Sequence, residues 1–326
     1  MRQARRNARC YRSMLFVPGH RQDWVEKAPR FGADALILDL EDAVPLALKS
    51  VGRDTTAQAL DGFATTSFGT FVRINPWGSG QTLADLSAIV GPGLDGVMLP
   101  KTEDAEDIVS LDRVLTELEL ERGLEVGRIE IFPLCETALG KYRTFEICLA
   151  SERVKRSQGA GGYVPNADSN RAINVRSLTD EGTEEYLTNL RTGLDARAAG
   201  VTEIIGGMTT KIHDLDLVRH FALRAKAVGA TGSMAIHPSH VAIHNEVFSP
   251  SPDDISDAKA VIAAMADGIA VGKAAVEHNG RMIDYAHVRT SLDLLDHATS
   301  LGIDVGTIPH IELEADDHTQ KEGNAG

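Results

Sequence analysis

Short apolar runs recur along the chain, with helical windows between them. Met14–Val17 ends at Pro18-Gly19, Ala35–Leu40 runs into a carboxylate cluster, and Gly96–Leu99 ends at Pro100-Lys101. Thr70–Ile74, Ile129–Leu134, Thr202–Met208 and Met234–Ile236 complete the series. Runs this apolar and this short read as strands buried on both faces, as in a parallel sheet. Windows such as 103–122 and 184–199 have helical periodicity. Strand–helix alternation of this kind predicts a parallel α/β fold. About eight units in roughly 240 residues favour a closed (β/α)8 TIM barrel over an open doubly wound sheet. No G-x-G-x-x-G follows the first strand, so a dinucleotide fold has no support.

The sixth unit breaks the pattern. Its strand region, Arg153 to Gly162, is far too polar for an ordinary barrel interior. Either the barrel is irregular there or polar groups line it. After Phe248 the composition changes. Ser249-Pro250-Ser251-Pro252-Asp253-Asp254 is a helix start: a serine cap, a first-turn proline and acids facing the macrodipole. Asn279-Gly280 between two short runs is a hairpin signal, and an amphipathic helix follows over 285–301. These make a small C-terminal helix-hairpin-helix lobe. The expected divisions are a basic disordered arm (1–11), a catalytic barrel (12–248), the lobe (249–305) and an acidic disordered tail (306–326).

The 326 residues are 43% hydrophobic and 25% charged, an ordinary soluble composition without any apolar run of membrane-spanning length. The net charge of −14 argues against nucleic acid or an anionic membrane as partner. An anionic substrate therefore needs a local positive pocket or a metal. The three cysteines have neither the number nor the spacing of a disulfide framework, which fits a reducing cytoplasm.

Polar residues stand where strands end: Glu41 and Asp42, Arg73 to Pro76, Lys101, Glu136-Thr137 and His237-Pro238. A single one is usually a cap or a turn. Five at the same end of successive units converge in a barrel, on a site for an anionic ligand and a hard divalent cation. His237-x₂-His240-x₃-His244 imitates metal spacing, but the two later histidines share one helix face beside the barrel. Cys135 has no histidine near it in sequence and reads as a buried thiol.

Several segments carry a family resemblance: Arg12-Ser-Met-Leu-Phe-Val-Pro-Gly19, Gly32-Ala-Asp-Ala-Leu-Ile-Leu-Asp-Leu-Glu-Asp-Ala-Val44, Val72-Arg-Ile-Asn-Pro76 and Gly96-Val-Met-Leu-Pro-Lys101. Pro133-Leu-Cys-Glu-Thr-Ala138, Ala235-Ile-His-Pro238, Asn245-Glu-Val-Phe248 and Gly280-Arg-Met-Ile-Asp284 continue it in order. The chain resembles the citrate lyase β-subunit-like group of the HpcH/HpaI aldolases, with the malyl-CoA and citramalyl-CoA lyases. The resemblance implies a homo-oligomer, a trimer or hexamer, that binds Mg²⁺ (or Mn²⁺). Such an enzyme cleaves or forms a 3-hydroxy acyl-CoA from an acyl-CoA and a 2-oxo acid, CoA thioester being substrate rather than cofactor.

In that resemblance Arg73 grips the oxo-acid carboxylate, and Glu136 ligates the metal. Glu41 and Asp42 hold its waters. Asp284 serves a neighbouring subunit's site as acid/base, and Arg21 and Lys27 face CoA phosphates. The family's second metal aspartate falls at Gly162 here; Asp168 is the next carboxylate, and whether it substitutes stays open. Two other functions remain: an aldolase for a free hydroxy diacid, and a binding or regulatory homologue with impaired catalysis.

Overall fold

The computed structural model describes residues 8–159, 168–175 and 183–311. Most of the expected basic arm and acidic tail, and Gly162, lie outside them. The chain divides into two compact units, Met1–Phe248 and Ser249–Gly326. No helix among the described residues is long and apolar enough to cross a membrane.

Among its described residues the first unit carries eight parallel strands: β1 (Ser13–Pro18), β2 (Ala35–Asp39), β3 (Gly69–Arg73), β4 (Gly96–Leu99), β5 (Glu130–Pro133), β6 (Arg156–Gln158), β7 (Glu203–Ile205) and β8 (Ser233–Ala235). Six form one sheet in the order β5-β4-β3-β2-β1-β8, and β6 pairs with β7. Isolated parallel bridges, Ile131 to Val154 and Ile205 to Gly232, lie beside the ends of these two sheets. This is the expected parallel α/β architecture, with helices such as Lys49–Phe63 and Ala105–Glu121 between strands.

Side chains alternate between the two faces of a strand, and the two faces carry different cores. Leu15, Leu36, Leu38, Val72, Val97 and Ile131 pack with the helix residues Leu60, Leu86, Leu111 and Leu115. Met14, Ile37, Phe71, Met98, Phe132, Ile205 and Met234 face the other way and form a separate cluster that includes no helix residue. That second, inner cluster draws one or more side chains from every strand except β6. Gly96 makes room for it: a Cβ there would run into the Phe71 ring.

The polar sixth strand is lined with charge, and the sheet is also irregular there: among the described residues β6 ladders with β7 alone, and only the isolated bridge from Ile131 to Val154 lies on the β5 side. Arg156 is fully buried, and its guanidinium meets Glu130 at the start of β5 at 2.8 Å. It also lies over the rings of Tyr11 and Phe71, at 4.6 and 5.0 Å. Burial alone would lower its pKa, but Glu130 holds the cation charged and the net direction is up. Just upstream Arg153 is likewise buried, clamped by Glu119 at 2.6 Å and Asp112 at 2.5 Å. Glu119 also accepts the backbone N–H groups of Gly127 and Ile129. Each of these two buried arginines thus has a carboxylate, as it must in a dry interior.

In the second unit, helix Pro252–Ala270 begins with a capping box between Ser251 and Asp254. Hairpin strands Ala275–His278 and Arg281–Asp284 turn through Asn279 and Gly280, both at positive φ, as a two-residue primed turn requires. Asp284 then caps helix Tyr285–Ser300, and Ile262, Met265, Ile283, Val288 and Leu295 form the unit's core.

Removing one member of the Arg156–Glu130 pair strands a buried charge. Arg156→Met is expected to lower the unfolding free energy by about 3–5 kcal/mol in urea titrations, with Arg156→Met/Glu130→Gln recovering part of the loss. Equal stability of wild type and single variant would refute the pairing.

Candidate active site

Strand ends put charge onto the inner face. In β2, Ala35 and Ile37 point into the inner cluster, so Asp39 follows them; in β3, Arg73 follows Phe71. Asp39 and Arg73 are register partners. The Arg73 fork closes on the Asp39 carboxylate at 2.7 Å through Nε and 2.5 Å through Nη2. Its remaining nitrogen, Nη1, lies 3.0 Å from Glu41 Oε2, and the guanidinium covers Phe16 at 5.0 Å. Burial would lower the Arg73 pKa, but the bond to Asp39 and the charges of Asp39 and Glu41 raise it.

Lys101, just past β4, adopts the left-handed backbone at φ 53°. From there its amide donates to Glu136 Oε1 at 3.0 Å while its ammonium reaches Glu41 Oε1 at 2.5 Å. Asp42 and Asp168 lie 3.7 Å from the same ammonium. Asp168 also pairs with Arg171 at 2.7 Å. Glu136 follows Phe132 and Leu134 on β5 and its extension. Its pKa is pushed up to about 7, first by burial and then by the charge of Glu41, with Asp168 adding to both and Arg73 opposing.

The backbone beneath is pinned. Lys49 Nζ donates to the carbonyls of Leu40 and Glu41 and to Asn75 Oδ1, at 2.6 to 2.8 Å. Asn75 in turn donates to Leu40 and to the fully buried Asp85.

Two cavities meet at Glu136. One of about 640 Å³ is lined by Trp77, Lys101, Glu136, Asp168 and Arg171. The other, about 300 Å³, is lined by Phe16, Trp24, Asp39, Arg73, Glu136 and Gln158. A third, of about 400 Å³, carries on past Trp24 to Lys27 and Phe31.

The structure therefore brings Glu41, Asp42, Arg73, Glu136 and Asp168 together at one end of the strands. Two placements differ from the sequence expectation. The Arg73 fork, assigned to a substrate carboxylate, is taken up by Asp39, because register sets the two side by side. Glu41, assigned to metal waters, accepts from Lys101 through Oε1 and is ion-paired with Arg73 through Oε2. Arg21 is exposed, stacked on Trp24 at 4.4 Å and paired with Asp23, while Lys27 lines the third cavity. Asp284 lies in the second unit as a helix cap bonded to His287 at 2.8 Å. His240 and His244 are buried, and His240 Nε2 meets the Ile212 carbonyl. Cys135 is buried, which pushes its thiol up to about 11.

Sequence reasoning placed Asp39, Asn75 and Lys101 at strand ends without giving them individual roles, and it missed Lys49. Period-two alternation from Ile37 was the signal for Asp39. Among the described residues no three His, Cys, Asp or Glu side chains gather closely enough to hold a metal unaided. Mg²⁺ asks for less: one or two carboxylates, with waters and substrate oxygens completing the shell. Glu136 and Asp168 line one cavity, and the Asp168 charge raises the proton affinity of Glu136, so their oxygens fit a divalent cation.

The HpcH/HpaI aldolase/citrate lyase family model matches residues 12–238, and the chain belongs to that family. It is 32% identical to the citrate lyase subunit beta of Haemophilus influenzae, over 89% of this chain and 97% of that protein. It is 31% identical to the L-malyl-CoA/beta-methylmalyl-CoA lyase of Rhodobacter capsulatus, over 86% and 92%. Among solved structures, CitE of Mycobacterium tuberculosis in complex with magnesium, acetoacetate and coenzyme A matches with a TM-score of 0.68 and 25% identity, over 90% of this chain and 99% of that one. By family this is a carbon–carbon lyase.

Because the folded Glu136 pKa lies above its ordinary value, its contribution to stability is full below about pH 4.5 and is lost as pH rises through 7. In metal-free protein, Glu136→Gln is expected to be the more stable form at pH 8, by on the order of 1–3 kcal/mol, and to lose that advantage near pH 5. Thermal melts across this range measure it; a constant difference between the two proteins contradicts the assignment.

Proposed function

We propose that this chain is a Mg²⁺-dependent lyase that cleaves or forms a 3-hydroxy acyl-CoA of the malyl-, citramalyl- or citryl-CoA type, from an acyl-CoA and a 2-oxo acid. The observation that carries the reading is the convergence of Arg73, Glu41, Lys101, Glu136 and Asp168 at the C-terminal ends of parallel strands. We further propose that the two sheets are one closed (β/α)8 barrel, a reading supported by the bridges beside both sheet ends and by the shared inner cluster.

Glu136 and Asp168 are the residues to hold Mg²⁺, with Glu41 and Asp42 turned toward the same charge. The bound ion supplies a Lewis acid for the oxo-acid oxygen. Arg73 lines the smaller cavity with its fork held by Asp39, and its positive charge opposes the negative charge that develops as the C–C bond breaks. Its bonds to Asp39 and Glu41 keep the guanidinium from swinging, so it acts preorganised. The thioester arm runs through the apolar cavities toward Trp24 and Lys27, with Arg21 at their rim. Proton transfer at the acyl carbon falls to Asp284 of a neighbouring subunit, whose carboxylate is oriented by its helix cap.

Arg73→Lys and Glu136→Gln are each expected to lower kcat/KM for Mg²⁺-dependent cleavage of these thioesters by at least about a hundredfold, with far-UV circular dichroism unchanged. Turnover near wild type in either variant would refute the site. A wild-type protein with no Mg²⁺-dependent affinity for thioester or oxo acid would instead favour the binding-subunit reading.

A further inference from the structure

The inner face of β6 carries two side chains, Arg156 and, two residues on, Gln158. Arg156 is paired with Glu130 through Nε and Nη2, its Nη1 being left without a hydrogen bond among the described residues. Gln158 is matched by nothing: its Oε1 is closed off from solvent and has no hydrogen-bond partner among the described residues. Its neighbours in the 300 Å³ cavity explain why. Phe16, Leu134, Met208 and Met234 are apolar, and the polar Arg73 and Glu136 are committed to Asp39, Glu41 and the Lys101 amide. A buried acceptor without a donor destabilises the free protein, and a leucine there would remove that cost. Such a group earns its place only if something that enters the cavity brings the missing donor.

We propose that Gln158 is a specificity-determining residue whose side-chain carbonyl accepts a hydrogen bond from the 3-hydroxyl of the hydroxyacyl thioester. The inference rests on the lyase function proposed above. It follows from a donor count at the reacting carbons: the 2-oxo acid and the simple acyl thioester offer acceptors only, whereas the joined molecule carries an O–H. A site built to bond a hydroxyl discriminates strongly against the analogue lacking it, because its own polar group is then left unpaired. Gln158 is thus tuned to the joined hydroxyacyl molecule rather than to its two fragments.

The test uses the full chain with Mg²⁺, malyl-CoA and its deoxy counterpart succinyl-CoA, comparing wild type with Gln158→Leu. Wild type is expected to bind malyl-CoA at least tenfold tighter than succinyl-CoA. The variant is expected to lose that preference through weaker malyl-CoA binding alone, while its ligand-free melting temperature holds or rises. The inference is overturned if wild type binds both esters equally or if the variant keeps the preference. It is also overturned if the variant melts lower and loses both esters alike, since that marks a structural role. Failure of wild type to bind either ester would sink the lyase reading, and this inference with it.

Discussion

The ion pair between Asp39 and Arg73 is the constraint on which the candidate site depends. A carboxylate at the end of a buried strand needs a cation that cannot leave, and the β2–β3 register supplies one on the adjacent strand. From that pair the charges run in sequence. Arg73 reaches one oxygen of Glu41, Lys101 takes the other, and the Lys101 ammonium looks out on Asp42 and Asp168. Glu136 stands at the end of this chain with only a backbone N–H in hand, and there the proton affinity rises. Five carboxylates face Arg73, Lys49, Lys101 and Arg171, so negative charge stays in excess and suits a cation near Glu136.

The inner face is polar at both ends, for different reasons. At the start of the strands Arg156, Glu130 and the rings of Tyr11 and Phe71 close on one another. Arg156 pairs there with Glu130 through Nε and Nη2, within the protein, and the pair serves stability. At the far end the charged groups also bond one another, yet Gln158 is orphaned and Glu136 is held above its ordinary pKa. Polar groups that remain unsatisfied at the C-terminal ends of parallel strands are what a ligand-binding rim requires. The apolar middle, from Ile37 through Phe71 to Phe132, keeps the two ends apart.

Much of this was legible from the hydrophobic pattern. Seven of the eight strands announced themselves as short apolar runs, because a strand buried on both faces has no polar alternative. The strand-end positions of Glu41, Arg73, Lys101 and Glu136 followed directly. The sixth strand did not, since its inner residues are Arg156 and Gln158 and its signal lies in the acids that neutralise it. Glu130 and Glu119 are distant in sequence, and no local rule links them to Arg156 and Arg153. Asp39 was hidden differently: within a run of three acids, only the period of two distinguishes the one that faces inward. Lys49 and Asn75 act on backbone carbonyls, contacts that composition and spacing do not encode.

Lys101 shows how backbone strain and site geometry combine. A lysine in the left-handed region costs on the order of 1–2 kcal/mol, a cost that glycine at the same position would escape. Glycine would keep the amide that holds Glu136 but would leave Glu41 with Arg73 alone and nothing between Asp42 and Asp168. An extended lysine would keep the ammonium but turn the amide from Glu136. Only the strained conformation orients both groups at once, so one residue fixes the carboxylate at the end of the charge chain and the pair before it. The strain is sustained by the bonds it makes possible. It lies where Glu136 has to be held in place while remaining short of a cation of its own.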